Sequence, residues 1–508
     1  MRLLAILVIL LCCLGGCRSP QAVLRTMESC NPCLTANVQT ALETQLATET
    51  STIEGLVNLG LAQNPATATA QHRINSLRHR IPQELSQPDP MVNTTTHLSP
   101  VETAAGRQAF ALGVSQKVVN AERLATKAAI AMEDVRAAEQ NLNLVQLEIA
   151  EKIRVACYQL LYVREAVEIT KQDAESLEQI AEVILRQYEV KQSVSQQDVL
   201  GVQVEQSQVE NQIVALQQKE RSLQARLARL VHLSPDSSFE ILDELTPALG
   251  PLDANALTAQ AISARPELAG QLANIRRDRK TIHLANLQNK PDFTIGLNWI
   301  GTSSDGISPV ANGDDALLLG IGFNLPVRQE RIQAAICEAR ESSLASASQL
   351  ESLKYEVAEE VYDLVAKAEG TADTLRLLQE DIIPKSARTL DLSIEEYTNG
   401  DVKYVQLIEN WRALLKYRIT ESRLIAEYNQ ILASLVRSIG EFTPISGNSV
   451  TPSQPDFDAQ PKLEEVFGEP VGRESENEQA ADTSIFIEPA TEYWPQDNST
   501  TGSTTKQK

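Results

Sequence analysis

Along most of the chain, apolar residues recur every three or four positions, and in four short stretches they alternate instead. The helical spacing is longest from about Asn120 to Val163, where Leu142, Val145, Ile149, Ile153, Ala156 and Leu160 follow one seam. This is the spacing by which helices pair as coiled coils. A polar stretch at Arg164-Glu165 predicts a reversal, and helix character then returns as far as Glu189. After a break at Lys191–Ser195 the seam continues through Val209, Ile213, Leu216, Leu223, Leu227 and Leu230, and stops at His232-Leu233-Ser234-Pro235. Ahead of this helix the pattern predicts strands at about 91–99 and 107–118. In the second of these, Phe110, Leu112 and Val114 fall on one side and Ala111, Gly113 and Ser115 on the other, the period of a half-buried strand.

The same order then repeats. Arg265-Pro266-Glu267-Leu268 stands where Asn64-Pro65 stood, and a helical run leads to Pro291-Asp292. Strands follow at about 293–300 and 316–326. A long helix from Gln329 to about Ala368 carries Leu350, Leu353, Val357, Val361 and Leu364, with a turn predicted at Glu369-Gly370-Thr371. The next helix contains Pro384 and ends at Tyr397-Thr398-Asn399-Gly400. A last one carries Ile425, Tyr428, Leu432, Leu435 and Ile439, and closes at Gly440. Tyr188 and Tyr397 therefore mark the same break in two copies of one unit, offset by about two hundred residues. The first repeat covers about 52–236 and the second about 252–441. The fold class is mainly α with a small β part, a duplicated unit of long coiled-coil helical hairpins and two strand pairs. An uninterrupted run of 44 residues would extend ~65 Å.

Composition sharpens the picture. Aromatic residues make up only 4% of the 508, and the net charge is −22. Such a charge excludes the basic footprint of a nucleic-acid binder. From Glu441 onward there are 13 acidic and 4 basic residues, and residues 445–508 read as a disordered acidic tail. At the other end, Arg2 precedes the apolar run Leu3–Leu14, too short to span a bilayer but suited to the core of a signal peptide over residues 1–16. The run closes in Leu14-Gly15-Gly16-Cys17, which resembles a lipobox with Cys17 as the lipidated residue; residues 17–51 then form a lipid-anchored linker. Cys30 and Cys33 are read as a local disulfide or two idle thiols, and Cys157 and Cys337 as buried, inert thiols in helices.

No catalytic set is present. Five histidines are scattered along the chain, adjacent acids such as Glu359 and Glu360 do not share a helix face, and no cofactor or metal is expected. The strands carry the chemistry. Phe293, Ile295, Leu297 and Trp299 form one row, with Leu319, Ile321 and Phe323 the matching row on the next strand, while Thr294, Gly296, Asn298, Gly320 and Gly322 form the other. An apolar outside and a small or polar inside suit a membrane barrel with a wet lumen, the seven apolar residues facing lipid. Four strands cannot close a barrel, and open edges are not tolerated in lipid, so several chains must share one.

This layout resembles the TolC-type outer membrane efflux protein family. The resemblance rests on Ala264-Arg265-Pro266-Glu267-Leu268, Lys290-Pro291-Asp292-Phe293, Gly320-Ile321-Gly322-Phe323-Asn324-Leu325-Pro326, Ile383-Pro384-Lys385-Ser386-Ala387 and Tyr397-Thr398-Asn399-Gly400, over residues 52–441. The first repeat departs from the pattern at the polar Asn93-Thr94-Thr95-Thr96-His97, at Lys191 where the second has a glycine, and at His232 where the second has Gly440. The resemblance implies a homotrimer whose twelve strands form one outer-membrane β-barrel on an α-helical periplasmic tunnel. It implies a passive exit duct, lipid-anchored in the bacterial outer membrane, that docks a periplasmic adaptor (membrane fusion) protein and an inner-membrane pump of RND or ABC type. It also places Asp391 at the periplasmic entrance, and the reversal residues Val163, Arg164, Glu165, Lys367, Glu369 and Gly370 against the adaptor. The competing reading is a coiled-coil envelope lipoprotein without a pore, either a scaffold or an adaptor. A scaffold has no use for an apolar outer strand face, and an adaptor would carry one hairpin rather than two.

Overall fold

The computed structural model describes residues 52–191, 195–304 and 312–442. The expectations for the signal region, Cys17, the linker, Cys30, Cys33 and the tail lie outside these residues. Each repeat opens on two short helices: α1 (Ile53–Gln63) and α2 (Pro65–Leu85) in the first, α5 (Ala254–Ala264) and α6 (Pro266–Asn286) in the second. In both, a proline occupies the first helical position of the longer helix, where its missing N–H leaves no helical bond unmade. Strands β1 (Met91–Thr103) and β2 (Gly106–Val118) follow in the first repeat, β3 (Phe293–Ser303) and β4 (Ala316–Phe323) in the second.

The long helices differ from the sequence expectation. Helix α3 runs from Ala121 to Lys191 without interruption, 71 residues or about 107 Å. In the second repeat α7 (Gln329–Leu377), one π turn (Leu378–Ile382) and α8 (Ile383–Asn399) form a continuous descent over the same number of residues. The π turn sits where Pro384 has no N–H to give and its ring would press on the preceding turn. The return helices, α4 (Gln196–Leu230) and α9 (Tyr404–Ser438), are 35 residues each.

The reversals expected at Val163, Arg164 and Glu165 and at Lys367, Glu369 and Gly370 are therefore corrected: all six residues lie inside helices. Val163 is fully buried between α3 and its neighbours, and Arg164 reaches across to Glu220 of α4 at 2.9 Å, so the two helices run past each other at that level. Lys367 pairs with Asp363 one turn away on an exposed surface, and Gly370 faces open space. Polar residues on the solvent side of an unusually long helix had the appearance of a turn. Cys337 is also corrected: it is exposed, whereas Cys157 is buried as expected.

A return helix covers only the lower half of its long partner, and the short helices complete the upper half. The Asn64 side chain, which caps α2, donates to the Leu230 carbonyl at the end of α4 (2.9 Å). In the second repeat Gly440 lies against Ala264, just before α6 begins. The upper layer thus runs α2, α3, α6, α7, matching the sheet order β1-β2-β3-β4 above it. The two repeats join through β2 and β3, and β1 and β4 are both open edges. Separate apolar clusters hold the layer: one between α1, α3 and α4, one between α5, α6, α7 and α9, and one joining α3, α4, α8 and α9 toward the turns. No helix among the described residues is long and apolar enough to cross a membrane.

Candidate functional site

Antiparallel register puts directly opposed residues on the same face. Phe293 opposes Phe323, Ile295 opposes Ile321, Leu297 opposes Leu319 and Trp299 opposes Leu317. Across the repeat boundary Leu297 opposes Val114 and Trp299 opposes Leu112, and Val114 in turn opposes Val92. One face is therefore apolar across β3 and β4 and over most of β2, where Gln116 opposes Ile295, while on β1 it carries Val92 beside Thr94 and Thr96. The seven residues expected on it share it, and Val92, Leu112, Val114 and Leu317 join them. In this chain Leu319 and Ile321 are 69% and 67% exposed, which leaves a broad apolar surface uncovered. The opposite face reads Asn93, Gly113, Asn298 and Leu318 in one row and Met91, Ser115, Gly296 and Gly320 in the next.

Aromatic rings mark both ends of the apolar face. Phe293 and Phe323 pair at the helical end, and Phe110 and Trp299 stand edge to face at the far end, with centroids 6.1 Å apart. Pairs of aromatic belts separated by an aliphatic band are how membrane barrels meet their two interfaces. The rings are too sparse along the sequence for the belts to be seen; register across β3 and β4 pairs Phe293 with Phe323, and the approach of β2 to β3 brings Phe110 to Trp299.

The junction between sheet and helices is made by the motif Lys290-Pro291-Asp292-Phe293. Asp292 is buried and accepts two bonds from one Arg123 nitrogen, at 2.8 and 2.9 Å, while a second Arg123 nitrogen donates to the Leu287 and Lys290 carbonyls. Lys117 adds a contact at 3.3 Å. The Asp292 amide donates to the Asn324 side chain (2.6 Å), and Asn324 donates back to the Asp292 carbonyl. The Asp292 carboxylate thus ties the start of α3 and the end of β2 to the start of β3, and the Asp292 backbone ties in the end of β4.

The true turns lie at the far end of the long helices. Ser195 and Asp198 form a capping box that starts α4, satisfying two of the free amides at the helix start. Gly400, at φ 92°, ends α8 in the left-handed conformation that favours glycine. Tyr397 is buried there, and burial, reinforced by the Asp198 charge, pushes its phenol up to about 12; its counterpart Tyr188 is 41% exposed. The two hairpins are tied just behind the turns. Arg412 of α9 forks onto the buried carboxylate of Glu205 on α4, at 2.9 Å through Nε. Gln187 donates to the Thr398 carbonyl at 3.1 Å, and Arg418 meets the buried Asp173 at 3.3 Å. Asp391 is exposed on α8, two turns before Asn399, so it stands near the turn-bearing end. Among the described residues no cluster of His, Cys, Asp and Glu could hold a metal ion.

Residues 257–441 match the sequence profile of the family Outer membrane efflux protein. No curated protein matches by sequence. The fold is shared with solved outer-membrane channels. The structure of the channel OprN superposes with a TM-score of 0.64 at 16% identity, covering 76% of this chain and 89% of that one. VceC from Vibrio cholerae gives 0.63 at 16%, over 77% of this chain and 97% of its own. The open state of the MtrE channel from Neisseria gonorrhoeae gives 0.59 at 14%, over 78% and 91%. The family resemblance carried by the sequence motifs therefore holds, and the proteins this chain resembles are channels rather than enzymes.

Proposed function

We propose that this chain, with the outer membrane efflux signature over residues 257–441 and the fold of the outer-membrane channels, is one third of a passive exit duct. The observation that carries this reading is the sheet: two-faced across β2, β3 and β4, belted by aromatics, open at both edges, and mounted on helices far longer than a soluble core requires. An uncovered apolar face and two unpaired edges are each unstable in water. Both are resolved when β4 of one copy pairs with β1 of the next in lipid, and three copies close twelve strands. The seven apolar residues from Phe293 to Phe323 then face lipid, and the Gly, Asn and Thr rows line the lumen. The helices continue the wall as a periplasmic tunnel, with Asp391 near its entrance and the helix turns as the surface offered to an adaptor and, behind it, an inner-membrane pump. Lipidation at Cys17 would add a second hold on the membrane.

The test is location and assembly measured together. Inner and outer membranes are separated, the protein is extracted in detergent, and its mass is determined by light scattering with detergent subtracted. An outer-membrane trimer that conducts ions in planar bilayers is expected. A monomer or dimer freed by removing the lipid anchor, and silent in bilayers, would refute the duct.

A further inference from the structure

Among the strand residues with paired register, the small-residue face carries a single charged side chain, Lys117. It sits at the helical end of β2, directly opposite Thr294, with Gly322 next across the sheet. Neither neighbour has bulk to cover it, and its side chain is 54% exposed. Asp292 lies 3.3 Å away but is already engaged by Arg123 in two shorter bonds, and Arg123 is the more buried of the two cations. Arg123, Lys117 and Asp292 together leave one positive charge, held by the group that faces open space. The adjoining Lys290 is balanced by Glu122. The long helices beyond the junction are, by contrast, rich in acid.

We propose that Lys117 forms a threefold cationic ring at the base of the barrel lumen and makes this level of the duct favour anionic solutes. The inference rests on the duct reading above. Twelve strands ~4.8 Å apart and tilted by ~40° give a wall radius of ~12 Å. The axis is then about one Debye length from the wall at 0.1 M salt, where the length is ~10 Å, and the lysine stems bring the charges closer. Rings of charged side chains at that range set ion preference. The ring is a filter in series with the acidic helices, so it acts on which cargo leaves the tunnel rather than on which enters.

The test is the reversal potential of the whole purified protein in planar bilayers under a potassium chloride gradient near ~0.1 M. Lys117→Gln should lower the chloride-to-potassium permeability ratio by about twofold or more and Lys117→Glu further, while Lys117→Arg stays at the parent value. Thr294→Glu places a carboxylate directly opposite without removing the Lys117 contact to Asp292, and should shift the potential the same way. At ~1 M salt, where the Debye length is ~3 Å, the differences should fade. Conducting Lys117→Gln and Thr294→Glu channels with parental reversal potentials would overturn the ring while leaving the duct intact. A parent protein that never conducts would overturn both.

Discussion

An arginine on the apolar face should cost far more than one on its neighbour. Leu319 and Leu318 are adjacent in β4, both exposed, and on opposite faces, since Leu319 opposes Leu297 and Leu318 opposes Asn298. The Leu297 row lies four residues above Phe293. At ~3.3 Å per residue and a tilt of ~40°, that is about 10 Å above the Phe293 belt and about 5 Å below Trp299, in the interior of the apolar band. Arginine at that depth costs about 2–4 kcal/mol per copy. Three copies in one barrel make ~6–12 kcal/mol, comparable with the whole stability of a domain. On the other face, Leu318→Arg meets water and should cost little. The assay is the amount of each variant recovered in the outer membrane as heat-resistant trimer on unheated gels. Leu319→Arg should be nearly absent and Leu318→Arg close to parent. Equal recovery of both, or a gain in soluble protein from Leu319→Arg, would show that the face does not meet lipid and would remove the argument for the barrel.

Other consequences follow from the helical part. Burial raises the Asp173 carboxyl above its usual value, and Arg418 only partly offsets this. The parent therefore loses stability as pH rises from the ordinary aspartate range through the raised value, and Asp173→Asn should be relatively more stable above that window and equal to it below. Burial works on Glu360 in the same direction, but Arg265 and Arg437 outweigh it and hold the carboxyl low. Its contribution is present above the ordinary glutamate range and lost as pH falls through the lowered value, so Glu360→Gln should be destabilised at neutral pH and level with parent in acid. Denaturant melts followed by circular dichroism across pH check both. His232 ends α4 at φ 60°, and Gly440 ends the second repeat at φ 78°. His232→Gly should stabilise by about 1 kcal/mol, whereas Gly440→Ala should destabilise, its Cβ meeting the Ala264 carbonyl at 2.9 Å; thermal midpoints decide. Burial pushes the Cys157 thiol up to about 12, so at about pH 8 iodoacetamide should modify the exposed Cys337 and leave Cys157 until the protein is unfolded; mass spectrometry of peptides reads this directly.

The duplication, the four strands and the two-faced rows were legible in the sequence because each depends on local period. Alternation in 293–300 needs no partner strand to be read, and Tyr397-Thr398-Asn399-Gly400 announces a helix end through the residue that most readily takes a positive φ. The first-repeat counterpart of Gly440 is instead His232, and its positive φ emerged only in the structure. Helix length was not legible: a coiled-coil seam continues past Val163 and Ala368, but polar outer faces there look like turns, and nothing in the local pattern distinguishes a solvent face from a reversal. Only packing against α4 and α9 shows that the chain goes on. The same holds for the working parts. Asp292 was visible as a motif, but its tie to Arg123 spans 169 positions. The Phe110–Trp299 pair, the pairing of Arg412 with Glu205 and the solitary place of Lys117 on the small face all arise where the two repeats meet. Sequence period determines which residues share a face of one element. Which elements share a face with each other is a property of register and packing, and that is what tertiary structure decided here.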